Sequence, residues 1–158
     1  MAEKFDERGL DSVDCANEIR FIASSECGLA INMTQTQKLL YIAYGIDLAS
    51  EKKRLTKEHP KAWPMGPIFQ HVHNELDFSK ITTDPGDKIP NDVKEFLKEV
   101  TKKFVNVPVS RLTAWSCEAG SPWDKATKPP ACSKWDTALS DDDVYEYFSK
   151  LAEGKENG

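Results

Sequence analysis

Gln37-Lys38-Leu39-Leu40-Tyr41-Ile42-Ala43-Tyr44-Gly45-Ile46 is the run that decides the fold. Leu39, Leu40, Tyr41, Ile42, Ala43 and Ile46 lie too close together for the single apolar stripe of a surface helix. The helix they form is therefore expected to be central and covered on most sides. It spans about residues 35–50, with Thr34 placed to cap it. Gly45 costs a helix interior roughly 1 kcal/mol relative to Ala, and a close helix crossing would explain it.

On the N-terminal side, residues 1–10 are polar and expected to fray. A helix over about 12–25 follows, capped by Asp11 or Ser12. Val13, Ala16, Ile19 and Ala23 recur at helical spacing, and Gly28 stops it. On the C-terminal side, Arg54 to Thr56 suits a short strand, and Ile81-Thr82-Thr83 a second one before the Asp84-Pro85-Gly86-Asp87 turn. Val93, Phe96, Leu97 and Val100 mark the inner face of a helix over about 91–104. A shorter helix follows Val107-Pro108 and carries Leu112 and Trp115 or Ser116. Ser121-Pro122 opens a helical turn as cap and first residue. Ser140 caps a last helix whose stripe is Val144, Tyr147, Phe148 and Leu151, with Asp141, Asp142 and Asp143 at its positive end. The fold class is mainly α: five to six helices in one compact domain, with a small two- or three-stranded β element. The division is 1–10 flexible, 11–152 domain and 153–158 flexible tail.

The chain has 158 residues, 39% hydrophobic and 30% charged. Such a length suits one domain that buries roughly 70% of its unfolded surface. The formal net charge is −5, and no Lys/Arg run exceeds Lys52-Lys53-Arg54. Nucleic-acid binding needs a basic stripe, so none is expected. An acidic surface suits a basic partner or simply solubility. The start lacks an apolar leader core, and no apolar run approaches the ~20 residues of a membrane span. The expectation is a cytoplasmic protein whose cysteines (Cys15, Cys27, Cys117 and Cys132) are reduced thiols.

No motif for nucleotide binding or for a serine nucleophile occurs. His71 and His73, two apart on a helix, point about 200° away from each other and cannot share a metal. Cys117 as nucleophile with His71 as base is a thiol-hydrolase arrangement to weigh, and nothing in the spacing supports it over a buried thiol on a helix. Neither a metal nor a cofactor is expected.

The stretch Ala62-Trp63-Pro64-Met65-Gly66-Pro67-Ile68 is a rigid, non-helical elbow, because two prolines bracket a glycine. Pro67 also suits the first turn of a helix to about Phe78, with Ile68, Val72, Leu76 and Phe69 inward. Trp63, Trp115, Trp123 and Trp135 all lie beside turns or helix ends. Tryptophan is enriched at interfaces, and a preformed elbow loses little entropy on docking. The competing reading is architectural: Trp63 plugs the core and the turn redirects the chain.

The ordered set of Gln37 to Gly45, Ala62 to Ile68, Leu112 to Cys117, Ser121-Pro122-Trp123 and Val144 to Phe148 resembles the Panacea domain family, the SocA-like antitoxins and phage-associated GepA-like proteins. The likeness covers roughly residues 12–151. Two departures stand out. Cys117, preceded by Ser116, occupies the place of the family's usual His, and Pro64 stands where an aromatic or other residue is common.

The resemblance implies an antitoxin that neutralises a cognate toxin by direct contact. In one type of relative it also delivers the toxin to a Clp-type protease. The candidate partner-binding residues are Trp63, Met65, Gly66, Pro67, Ile68, His71, Pro122 and Trp123. No direct nucleic-acid contact and no membrane are implied. The alternatives are a prophage protein that binds a host factor, and a small thiol- or His-dependent hydrolase using Cys117.

Overall fold

The computed structural model describes residues 5–64, 66–79, 84–127 and 137–157, with side chains in the last helix described to Ala152. Among these residues the chain is mainly α, with seven helices and two small sheets of two strands each. Strand β1 (Asp6–Leu10) leads into α1 (Ser12–Cys27), α2 (Met33–Glu51) and β2 (Lys53–Thr56). The hairpin β3 (Lys61–Trp63) and β4 (Gly66–Ile68) leads into α3 (Gln70–Glu75). Helices α4 (Asn91–Phe104), α5 (Val109–Ser116), α6 (Pro122–Thr127) and α7 (Asp141–Asn157) complete the order.

Helix α2 is the axis. It packs against α1, α4, α5, α7, β2 and β4, and every residue from Thr36 to Gly45 is buried. That is the outcome expected of an apolar run with no polar face. Its cap is Asn32, not Thr34. Asn32 Oδ1 accepts from Gln35 N at 2.9 Å, and Gln35 Oε1 accepts from Asn32 N at 3.0 Å. This reciprocal box satisfies two otherwise orphaned donors, which a cap at Thr34 would leave open. Gly45 sits where α7 crosses, with the Phe148 ring occupying the place of a Cβ. Asp11 caps α1 by accepting from Val13 N at 2.7 Å. At the other end Gly28 is left-handed (φ 66°), and Leu29 N returns to Ala23 O at 2.9 Å.

Four further sequence expectations are corrected. Residues 6–10 are not frayed: β1 pairs in parallel with β2. Arg8 forks onto the buried Asp47 of α2, with Nε–Oδ2 at 2.7 Å and Nη2–Oδ1 at 2.9 Å. The strand over 53–56 thus pairs with β1, while Ile81-Thr82-Thr83 lies outside the described residues. Pro67 does not open a helix. It lies in β4 opposite Ala62, and α3 begins only at Gln70. The chain stays extended that far because the side-chain amide of Gln37 takes both backbone groups of Phe69. Leu151, expected inside, is 40% exposed. Finally, α7 runs on to Asn157, beyond the end of its apolar stripe.

Asp141 does more than complement the dipole of α7. It accepts from Tyr44 Oη at 2.5 Å and Arg54 Nε at 2.8 Å, with His59 Nδ1 at 3.5 Å. Burial pushes this carboxyl up, but the hydrogen bonds from His59, Tyr44 and Arg54 outweigh it and hold it below the usual range. The same contacts lock α7 to α2 and β2.

Candidate functional site

The elbow is a tight hairpin. Lys61 faces Ile68, Ala62 faces Pro67 and Trp63 faces Gly66. Gly66 has φ 119°, a conformation that a side chain rarely adopts. A Cβ there would run into Lys38 Nζ and lie 2.9 Å from Ser116 Oγ and 3.4 Å from Cys117 Sγ. Glycine thus lets the hairpin backbone settle onto α2 and the end of α5. On its outer edge the hairpin gains Ala62 N to Thr137 O at 2.8 Å and Leu139 N to Pro60 O at 2.9 Å.

Two side chains from the first turns of α2 lie against it, and one of them, Gln37, bonds to it. Gln37 Nε2 donates to Phe69 O at 3.1 Å, and Gln37 Oε1 accepts from Phe69 N at 2.8 Å. Lys38 is 2% exposed. Burial brings its ammonium down to about 8, partly offset by the nearby Cys117. A second clamp comes from α6. Trp123 Nε1 donates to Trp63 O at 2.7 Å, which fixes two tryptophans 60 residues apart in one unit. Helix α6 is itself capped as expected, with Ser121 Oγ accepting from Asp124 N at 3.1 Å.

The candidate residues divide into two groups. Gly66, Pro67 and Pro122 are buried and can only support a surface. Trp63, Ile68 and Trp123 are half-buried, and His71 is exposed. Met65 lies outside the described residues, as do Trp135 and Cys132. Trp63 packs edge-on against His73 with centroids 4.9 Å apart. His71 Nε2 is 3.6 Å from Asp11 Oδ2, so the two histidines of α3 face different neighbours. His71 N also donates to Glu58 Oε2 at 3.0 Å, and Glu58 Oε1 accepts from Ser12 Oγ at 2.5 Å. These contacts tie α3 to α1. The thiol of Cys117 meets Ser116 Oγ at 3.8 Å. His59 faces Tyr44 and Asp141, His71 faces Asp11, and no hydrogen bond joins Cys117 to a histidine among the described residues.

Gln37, Lys38 and Ser116 are the parts that the sequence reading missed. The available signal was chemical: a lysine and a glutamine inside an otherwise buried helix must find polar partners. Tyr41 adds a further anomaly. Its hydroxyl is buried and has no hydrogen-bond partner among the described residues. Burial, then the neighbouring Tyr147 and Cys117, hold it protonated.

Gln37 and Trp123 thus hold the hairpin by hydrogen bonds, while Lys38 and Ser116 lie against Gly66. Residues 36–124 match the family model for the antitoxin SocA-like Panacea domain. That span is more than half of the 158 residues, and the chain belongs to this family. Membership supports an antitoxin role in general and points to binding rather than catalysis. It also implies a toxin partner in general terms. The matched span contains every residue of the clamped elbow. Comparisons with curated proteins and with solved structures gave no match. No helix among the described residues is long and apolar enough to cross a membrane.

Proposed function

We propose that this protein neutralises a cognate toxin by direct binding in the cytoplasm, and that the hairpin elbow contributes to the binding face. Trp63, Met65, Ile68, His71 and Trp123 are the residues offered to the partner, with Gly66, Pro67 and Pro122 holding them in place. The observation that carries this reading is the bond from Trp123 Nε1 to Trp63 O at 2.7 Å. It joins two family-span segments into a rigid aromatic edge, and a rigid edge loses little conformational entropy on docking. Handing the bound toxin to a Clp-type protease is a finer form of the same function.

Co-expression with the product of the adjacent gene tests it. That product alone should arrest growth, and this protein should restore growth while co-purifying with it. Restoration without a complex, or a complex without restoration, would remove the reading. Repeating the assay in cells lacking the Clp-type protease separates the two forms, because simple neutralisation persists there and adaptor action does not.

A further inference from the structure

A second surface lies on the other side of α5. Trp115 and Ser116 are consecutive, yet Ser116 faces the elbow while Trp115 lines a groove between α2, the end of α4, α5 and the end of α7. The groove has a cavity of about 520 Å³. Ile42, Ile46 and Phe148 line it from α2 and α7, and Phe104, Leu112 and Trp115 from α4 and α5. Ile46 and Trp115 are only half-buried and Leu151 is 40% exposed, so the apolar surface opens to solvent along its length.

Two charged residues line the groove, and both are cations: Lys103 from α4 and Arg111 from α5. In a chain of net charge −5 this local sign runs against the average. Arg111 is the third residue of α5. A cation in a first turn meets the positive end of its own helix and is disfavoured there. Neither cation forms an ion pair with a carboxylate among the described residues. An apolar trough walled by helices, with cations from two different helices, suits acidic side chains spaced along a partner helix better than a single anionic head group. Phe, Trp and Arg are also the side chains that anchor interfaces.

We propose that this groove docks an amphipathic helix of the partner whose apolar stripe is flanked by acidic side chains. The proposal rests on the partner-binding reading above and gives that partner a chemistry.

The test uses the full chain and two labelled model peptides of about 18 residues, five helical turns. Both carry Leu at i, i+3, i+4 and i+7; one has Glu on the flanks and the other Lys. Fluorescence anisotropy should show the Glu peptide binding about tenfold more tightly or better, as charge complementarity at a groove rim provides. The double variant K103E/R111E should reverse the preference, whereas Trp123→Phe should leave it unchanged. Circular dichroism checks that each variant is folded. Equal binding of both peptides, binding of neither, or an unchanged preference in the double variant would overturn the proposal. So would a dimer of the free chain that the double variant dissolves, which gives the groove to a second copy. Saturation by dodecanoate without peptide binding gives it to a small amphiphile and overturns the proposal equally. Growth rescue without any peptide preference removes the groove and keeps the antitoxin reading; peptide preference without rescue does the reverse.

Discussion

The ring of Phe148 on α7 fills the space that a Cβ on Gly45 of α2 would need. This close crossing brings Phe148 against Tyr41 at 5.6 Å and Trp115 at 5.7 Å between ring centroids. Gly45→Ala gains roughly 1 kcal/mol of helix propensity. It must also push aside a ring held on three sides, and overpacking of this kind costs about 1–3 kcal/mol. The expected net result is a loss of up to about 2 kcal/mol in urea unfolding, largely recovered in Gly45→Ala with Phe148→Leu. A more stable single variant would mean that the helices do not approach so closely.

Arg8 and Asp47 make the second prediction. Asp47 is 1% exposed, and Arg8 supplies two hydrogen bonds to it from β1. Arg8→Ala leaves a carboxylate inside the fold without its fork, and the expected cost is about 3 kcal/mol. Adding Asp47→Asn should return a good part of it, since the stranded charge is then gone. If Arg8→Ala unfolds like the parent chain, β1 contributes nothing and the polar N-terminal segment is frayed after all.

That pair also marks what the sequence could and could not reveal. The spacing of Val93, Leu97 and Val100 placed α4 over its observed bounds, and the density of Leu39 to Ile46 identified the buried axis. Such features depend on residues within one element. Strand β1 depends on a partner 39 residues away, Asp47, and Asp6-Glu7-Arg8-Gly9-Leu10 has no strand periodicity of its own. Pro67 misled for a related reason. Its fixed φ serves a helix start and an extended strand alike, and Gln37, from 30 residues earlier, decides the outcome. At the elbow the prolines and tryptophans were legible. The residue that bonds to the hairpin from α2, Gln37, and its neighbours Lys38 and Ser116 looked like ordinary helix residues.

Tyr41 yields a prediction of opposite sign. A buried hydroxyl with no partner among the described residues lowers stability relative to the same ring without it. Tyr41→Phe should therefore be neutral or stabilise by up to about 1 kcal/mol. A loss greater than that in chemical denaturation would show that the hydroxyl is satisfied in solution.

Lys38 couples stability to pH. Its ordinary value of 10.5 falls to about 8 in the folded chain, chiefly through burial. Between those two values the unfolded chain holds a proton that the folded chain has released, so stability rises with pH across this window. Below about 8 both states carry the charge and the burial cost is fully present. The buried thiol of Cys15, pushed upward by burial, works against the rise because it ionises only on unfolding. Comparison with Lys38→Met cancels that contribution. The advantage of the Met variant over the parent chain should shrink by on the order of 3 kcal/mol from pH 7.5 to 10.5. A difference that stays constant over that range would place the ammonium in contact with water.

Trp123 connects the elbow's structure to its proposed use. Trp123→Phe keeps an aromatic ring on α6 and removes the Nε1 donor to Trp63 O. One lost hydrogen bond of this type costs about 1 kcal/mol of stability, which leaves the domain folded. The freed Trp63 carbonyl then loosens the hairpin relative to α6, and the rigid edge becomes an ensemble. If that edge meets the toxin, neutralisation should weaken about fivefold or more while the melting temperature falls by only a few degrees. Trp63→Phe is the companion, because it trims the half-buried ring and keeps the backbone acceptor. Both variants should weaken neutralisation, the first through rigidity and the second through contact area. Full neutralisation by both, measured by titrating their expression against the toxic neighbour, would show that the hairpin is architecture and that the partner binds elsewhere.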